Sequence, residues 1–334
     1  MDIKTNILKI LRNADGYTSG QSLCETLGVS RTAVWKYVNQ LKEEGYEFDA
    51  VSNKGYRIVK YPDIVTKEEI ESQLQDGLTV KKVVYYDETD STNTRAKLAA
   101  EAGEESGTLF VTECQTGGKG RRGRSWISPA GSGIWMSLLL RPDIKPYDAS
   151  MLTIVVAMAT AMAIAEVVKK DTDSDVECMI KWPNDIVLGN RKICGILTEM
   201  SAELERINYV VVGIGINVNT TDFDESIKDT ASSIYVQTDD HVKRSDIIAA
   251  FARHFTGYYE EFVKTCDLSG LMDDYNQCLI NAGREVRIIE RDSEYTAEAV
   301  GIDEEGRLIV RKSDGTMEKI VAGEVSVRGL YGYV

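Results

Sequence analysis

Apolar residues recur at helical spacing from the start of the chain. Ile3, Ile7, Ile10 and Leu11 fall on one face and predict a helix over 3–14. A second, shorter helix is expected over about 20–26, followed by Leu27-Gly28-Val29-Ser30. In that stretch Gly28 permits a tight turn and Ser30 is a natural N-cap. The next helix runs from Arg31 to about Glu44, with Val34, Val38 and Leu41 inward and Gly45 as its stop. Two helices joined by so short a turn form a helix-turn-helix layout. Strands over 46–51 and 56–60, joined by Ser52-Asn53-Lys54-Gly55, add a β-hairpin wing.

Tyr61-Pro62 reads as a boundary, and Thr66-x-x-Glu69 as the cap of a short connecting helix. Beyond it strands and helices mix. Strands are expected at 83–87, 108–113, 134–140, 178–181, 186–188, 192–200 and 209–217, and helices at 93–102, 151–170 and 246–264. After residue 282 the texture becomes short strands with turns such as Asp303-Glu304-Glu305-Gly306 and Ser313-Asp314-Gly315, the pattern of a small all-β barrel. The expected organisation is therefore α+β and multidomain: a winged helix over 1–62, a linker helix over 63–80, a central mixed sheet with helices over 81–280, and a β domain over 281–334.

Composition narrows the function. The chain has 334 residues and a net charge of −14, which argues against a surface coated in nucleic acid. That charge is uneven. Residues 1–62 hold nine Lys/Arg against seven Asp/Glu, a surplus of two, so the rest of the chain carries −16. A small cationic head on an acidic body suits local contact with DNA. Six cysteines without a CxxC pair, and two histidines, His241 and His254, give no zinc pattern and suit reduced thiols in a cytoplasm. The N-terminus has no signal-peptide layout. Met151–Val168 is apolar, but barely long enough to span a bilayer and interrupted by Glu166. A buried helix is expected there, with Asp148 or Ser150 as N-cap and Lys169-Lys170 at its C-terminal end.

The sharpest chemistry lies in Gln115-Thr116-Gly117-Gly118-Lys119-Gly120-Arg121-Arg122-Gly123-Arg124-Ser125-Trp126. Gly118-x-Gly120-x-x-Gly123 spells a dinucleotide fingerprint, but that motif needs a helix N-terminus after its glycines, and Ser128-Pro129-Ala130-Gly131 breaks any helix. Glycines interleaved with Lys119, Arg121, Arg122 and Arg124 instead make a pliant backbone carrying cations, able to fold over phosphate or carboxylate oxygens. The alternative is a solvated basic loop.

Three further stretches stand out. In Lys181-Trp182-Pro183-Asn184-Asp185, Pro183 ends a strand and leaves Asn184 and Asp185 at a turn, able to reach a ligand or merely to stabilise the turn. Gly189-Asn190 then reverses the chain, so Lys192 returns beside that strand. Asp90-Ser91-Thr92-Asn93-Thr94 opens a helix, whose N-terminus can be plainly capped or can receive polar ligand groups. Gly213-Ile214-Gly215-Ile216-Asn217 is a strand whose glycines let something approach its backbone.

Together these stretches resemble the biotin protein ligases, whose loop reads roughly G-R-G-R-x-G-R-x-W and whose other pieces are K-W-P-N-D, R-K-x-x-G-I-L and D-S-T-N. All occur here in order, with Lys119 where the family usually has Arg. The head resembles the subclass that doubles as biotin operon repressor. The resemblance implies a class II synthetase-like ligase core and a C-terminal SH3-like β-barrel. It also implies ATP and biotin as substrates with Mg²⁺, a biotin carboxyl carrier protein as acceptor, and a homodimer on operator DNA when adenylate is bound. It further implies that Ser91, Thr92, Asn93, Gln115, Lys119, Gly120, Arg121 and Lys192 line the biotin side. Arg121, Arg124, Trp126, Asn184, Asp185 and Asn217 fall on the nucleotide side, and Arg121 and Lys192 supply the charge that brings two anions together.

Arg31, Thr32, Trp35, Lys36, Asn39 and Gln40 lie off the Val34/Val38/Leu41 stripe and are expected to face DNA, with Lys54 on the wing touching phosphate. Trp35 could instead pack at the edge of the core. Competing readings are a ligand-sensing repressor without catalysis, which so many loop cations disfavour, a lipoate-type ligase, and an NAD-linked enzyme, set aside with the fingerprint.

Overall fold

The computed structural model describes residues 2–289, 293–322, 326–329 and 333–334. The head contains α1 (Ile3–Arg12), α2 (Gly20–Leu27) and α3 (Arg31–Glu43), then β1 (Glu47–Val51) and β2 (Gly55–Lys60) paired antiparallel. Local chemistry sets its ends. Asp2, Ser19 and Ser30 each accept a backbone N–H from the first turn they cap, and Gly28 takes the left-handed conformation at φ 64°. The wing is pinned by a bridge between Thr18 and Tyr56, so close to Gly55 that a Cβ there would lie 2.0 Å from the Thr18 carbonyl oxygen. The head has its own core, built from Ile7, Leu8, Leu11, Leu23, Val34, Val38, Leu41, Tyr46 and Ile58.

α4 (Lys67–Gln73) follows, then β3 (Lys82–Thr89), α5 (Thr92–Glu101), β4 (Thr108–Gln115), β5 (Gly133–Leu140) and α6 (Met151–Asp171). β6 (Cys178–Lys181), β7 (Asp185–Leu188), β8 (Arg191–Ala202) and β9 (Ile207–Asn217) complete a seven-stranded sheet in the order β3-β4-β5-β9-β8-β7-β6. Only β3 and β4 run parallel; the other neighbours are antiparallel. α7 (Ile234–Thr238), α8 (Arg244–Thr265) and α9 (Met272–Cys278) come next. β10 (Glu285–Ile289), β11 (Glu294–Ile302), β12 (Leu308–Arg311), β13 (Met317–Ile320) and β14 (Ser326–Gly329) form an antiparallel sheet ordered β13-β12-β11-β10-β14.

α6 is the apolar segment singled out in the sequence, and most of it is buried, packed with α8 in a core that also includes Val286, Ile288 and Ala299 of the C-terminal sheet. Its start differs from expectation. A 3₁₀ turn over Pro146–Ser150 leads into it, Ser150 is itself helical, and its side chain makes no capping bond. The preceding turn satisfies part of the helix end, so neither Asp148 nor Ser150 is needed as cap.

Glu69 departs further. Thr66 does accept its backbone N–H, at 3.4 Å, but the Glu69 carboxylate does not close the box. It is fully buried: its Oε1 accepts from Arg12 Nη2 at 2.8 Å, Gln73 Nε2 at 2.9 Å and Ser245 Oγ at 3.1 Å, and its Oε2 accepts from Arg12 Nη2 at 2.8 Å and Tyr46 Oη at 2.6 Å. One carboxylate thus joins head, linker helix and α8. A buried charge so fully partnered is tolerated where a lone one would be expelled.

Candidate functional site

The thirteen residues assigned to ligand on the sequence all line one cavity of about 800 Å³, bounded by α5, β6–β9, the cation-bearing loop and the segment after β9. Its walls carry Lys119, Arg121, Arg122, Arg124, Lys181, Lys192 and Arg328 against Asp185, Asp222 and Asp224, so in an acidic chain this cavity favours anions.

At the α5 end, Asp90 grips Arg95 through two 2.8 Å bonds, which holds its carboxyl well below the usual range. Ser91 occupies the N-cap position without a side-chain capping bond. Gln115 does that work instead: its Oε1 accepts Thr92 N–H at 2.9 Å while its Nε2 donates to Ser128 Oγ at 2.8 Å. The Ser91 hydroxyl is therefore not spent on the helix. Ser137 and Glu199, neither singled out in the sequence, orient Asn93: Ser137 Oγ donates to its Oδ1 at 2.6 Å and its Nδ2 donates to Glu199 at 2.8 Å. Gly213 makes this possible, since a Cβ there would lie 2.1 Å from Asn93 Oδ1.

The loop is a small hairpin rather than a helix start. Gly120 N–H donates to Arg124, Trp126 N–H donates to Gly118, and a single 3₁₀ turn spans Arg121–Gly123. The dinucleotide fingerprint thus lacks the helix it needs. Lys119 Nζ donates to Thr94 Oγ1 at 3.0 Å, tying the loop across to α5. Arg121 is half-buried and donates to Asn184 Oδ1, and burial lowers the pKa of its guanidinium. Arg122 and Arg124 stand exposed. The Trp126 ring lies over glycines: a Cβ at Gly215 would be 2.6 Å from its Nε1, and one at Gly195 3.0 Å from the ring. That Nε1–H is buried without a partner among the described residues, a donor left available to a ligand.

Asn184 and Asp185 serve the turn and the site at once. Asn184 Nδ2 donates to the Ile196 carbonyl at 3.0 Å and to Asp185 Oδ1 at 3.1 Å, while its Oδ1 holds Arg121. Asp185 Oδ1 also pairs with Lys192 Nζ at 2.6 Å. The Lys192 ammonium lies 5.3 Å from the Trp126 ring centroid. Asn217, on the far wall, is committed through Nδ2 to the Ser232 carbonyl at 3.1 Å. Lys181, quoted in the sequence only as part of its motif, is 6% exposed, and burial brings its ammonium down to about 8. The segment over 222–231 and Tyr333 also line the cavity, and nothing local in the sequence marked them.

On the head, Arg31, Thr32, Trp35 and Lys36 stand exposed on α3, with Asn39 and Gln40 half-buried. Trp35 is 60% exposed and does not join the core. Arg31 reaches Gln21 at 2.9 Å, and Lys54 on the wing is exposed, 5.6 Å from the Tyr17 ring.

Known protein families match each part of this chain. Residues 85–217 match the biotin/lipoate A/B protein ligase family, 4–57 an HTH domain, and 282–328 the biotin protein ligase C-terminal domain. The chain is 35% identical over 328 residues to the bifunctional ligase/repressor BirA of Bacillus subtilis, covering 97% of this chain and 98% of that protein. Against the Escherichia coli protein of the same name it is 30% identical, covering 98% and 97%. A solved biotin protein ligase from Aquifex aeolicus in complex with biotin and ATP superposes with TM-score 0.64 at 28% identity, over 75% of this chain and 99% of that one. Full-length kinship and successive matches to an HTH domain, the ligase family and the ligase C-terminal domain lead to one statement: the chain belongs to the family of bifunctional biotin protein ligases and repressors.

Proposed function

We propose that this biotin protein ligase joins biotin to ATP as biotinyl-5′-AMP and then passes biotin to a lysine of a biotin carboxyl carrier protein. In the first step a biotin carboxylate oxygen attacks the α-phosphorus, a P–O bond forms, and the bond to pyrophosphate breaks. In the second a carrier lysine amine attacks the acyl carbon, an amide forms, and AMP leaves with loss of a proton from the amine. The observation that carries this reading is the cavity's surplus of cations, set where two anions must approach each other. Ser91, Thr92, Asn93, Gln115, Lys119 and Gly120 face the biotin side, and Arg124, Trp126, Asn184, Asp185 and Asn217 the nucleotide side. Lys192 stands on the biotin side and Arg121 is shared by both sides, and the two screen the repulsion. No side-chain nucleophile is required.

Mg²⁺ in this chemistry travels mostly on substrate phosphates and takes one or two protein carboxylates. Asp185, which lines the cavity, would be the carboxylate to meet it there. Mixing the protein with biotin, ATP and Mg²⁺ should release pyrophosphate. No release would leave a ligand-sensing repressor.

The head binds an operator through Arg31, Thr32, Trp35, Lys36, Asn39, Gln40 and Lys54. The six cysteines, none of them in a disulfide, suit a cytoplasmic home. One head with a surplus of two charges makes few phosphate contacts, so two heads on a two-fold dimer are needed for tight binding to a palindrome. If the loop over 117–126 closes on the adenylate and forms part of the dimer surface, the adenylate becomes corepressor, and linkage makes operator DNA tighten adenylate binding in return. A carrier protein docking on the same face competes with the dimer. Sedimentation and operator binding with and without biotin plus ATP should show more dimer and tighter DNA binding with both ligands. Equal values in the two states would leave the head uncoupled.

A further inference from the structure

Tyr333, beyond β14, reaches the nucleotide side of the cavity and touches two of its charged groups. Its hydroxyl donates to Asp185 Oδ2, and its backbone carbonyl accepts from Lys181 Nζ. The Lys181 ammonium also sits over the Tyr333 ring, 3.6 Å from the centroid, a cation–π contact. Asp185 is thereby held at both oxygens, Tyr333 on Oδ2 and Lys192 with Asn184 on Oδ1. The approach is braced by the surrounding fold. Trp182, next to Lys181, accepts a seat on the C-terminal domain: its Nε1 donates to the Gly306 carbonyl at 3.0 Å and its backbone N–H to Asn281 Oδ1 at 2.9 Å. Val327 and Arg328 of β14 line the same cavity.

We propose that Tyr333 is a positioning residue for adenylate formation, fixing the Asp185 carboxylate so that Asp185 in turn aims Lys192 at the reacting phosphate. A carboxylate held at one oxygen only is free to rotate about its Cβ–Cγ bond. Lys192, a flexible point charge on a four-carbon stem, then loses the reference that sets its ammonium. Tyr333 acts through Asp185 and needs no contact with either substrate. The C-terminal domain thus supplies part of the geometry of a site whose other walls come from the central sheet. The inference rests on the reading that Asp185 belongs to the nucleotide side.

The test uses the full-length protein and three variants: Tyr333→Phe, Asp185→Asn and the double variant. Tyr333→Phe keeps the ring and the carbonyl but removes the hydroxyl. It should lower kcat/KM for ATP in adenylate formation about tenfold, the scale of a lost hydrogen bond to a charged group. Biotin binding measured without ATP, and the thermal midpoint, should stay as in the parent. Asp185→Asn alone should also lower kcat/KM for ATP, and adding Tyr333→Phe to it should cost little more, because the hydroxyl acts only through that carboxylate. Full ATP use by Tyr333→Phe beside an impaired Asp185→Asn overturns the inference and leaves the nucleotide-side reading standing. So do losses that add in the double variant, or a Tyr333→Phe protein that loses biotin binding and thermal stability together with ATP use. An unimpaired Asp185→Asn overturns the nucleotide-side reading itself, and the inference with it.

Discussion

Arg121→Ala and Lys192→Ala should each reduce adenylate formation ~10²–10³-fold, the usual cost of removing one electrostatic donor from a reacting centre. The fold should survive both changes. Asn184, which Arg121 touches, keeps its bonds to the Ile196 carbonyl and to Asp185. Asp185, which pairs with Lys192, keeps Tyr333 and Asn184. What would be lost is charge at the proposed meeting point of a carboxylate and a triphosphate. Arg121 is half-buried and shielded from water, so its guanidinium acts in a medium where charge counts for more than at the surface. Pyrophosphate release from biotin, ATP and Mg²⁺, with circular dichroism as the control for folding, measures the effect. Near-normal release from both variants sinks the assignment of the reacting centre.

Removal of residues 1–62 should abolish operator binding while leaving most of the ligase activity. The proposed DNA-facing residues all lie in that segment, and the head keeps its own hydrophobic core. The cut spares Asp63, which matters: Arg244, 2% exposed, binds Asp63 through its backbone N–H at 2.9 Å and its Nε at 3.1 Å, and reaches Glu113 at 2.8 Å. The cut does take Arg12 and Tyr46 from Glu69, whose carboxylate keeps Gln73 and Ser245 and gains water where the head stood. A lower melting temperature is therefore expected along with preserved chemistry. Arg31→Ala with Lys36→Ala in the full chain separates the two effects, losing DNA affinity without disturbing Glu69. A truncated protein that is well folded by circular dichroism but forms no adenylate contradicts this division of labour.

Features set by neighbours a few residues apart could be read from the sequence. The inward stripe of α3, the Ser30 cap and the Gly28 turn depend on spacing and on single-residue conformational preference, and the structure has all three. The strands of the central sheet were legible for the same reason, with no end displaced by more than two residues. α7 and α9, of five and seven residues, are too short to show a helical period. Glu69 read as half of a capping box, yet its partners Arg12 and Ser245 are distant in the chain, and tertiary burial decided between them. The site divides the same way. The loop cations and the K-W-P-N-D stretch announced themselves by residue type packed into a few positions. Ser137, Glu199 and Tyr333 matter only because the sheet and the C-terminal domain bring them to Asn93 and Asp185, and no local pattern carries that.

The most direct test of the central claim is transfer of labelled biotin to a purified biotin carboxyl carrier domain, with and without ATP and Mg²⁺. The account predicts label on one carrier lysine only when ATP is present, with AMP formed in equal amount, and no label when lipoate replaces biotin. Biotin bound by the protein but never transferred, with ATP left intact, would contradict it and leave a repressor that senses biotin without chemistry.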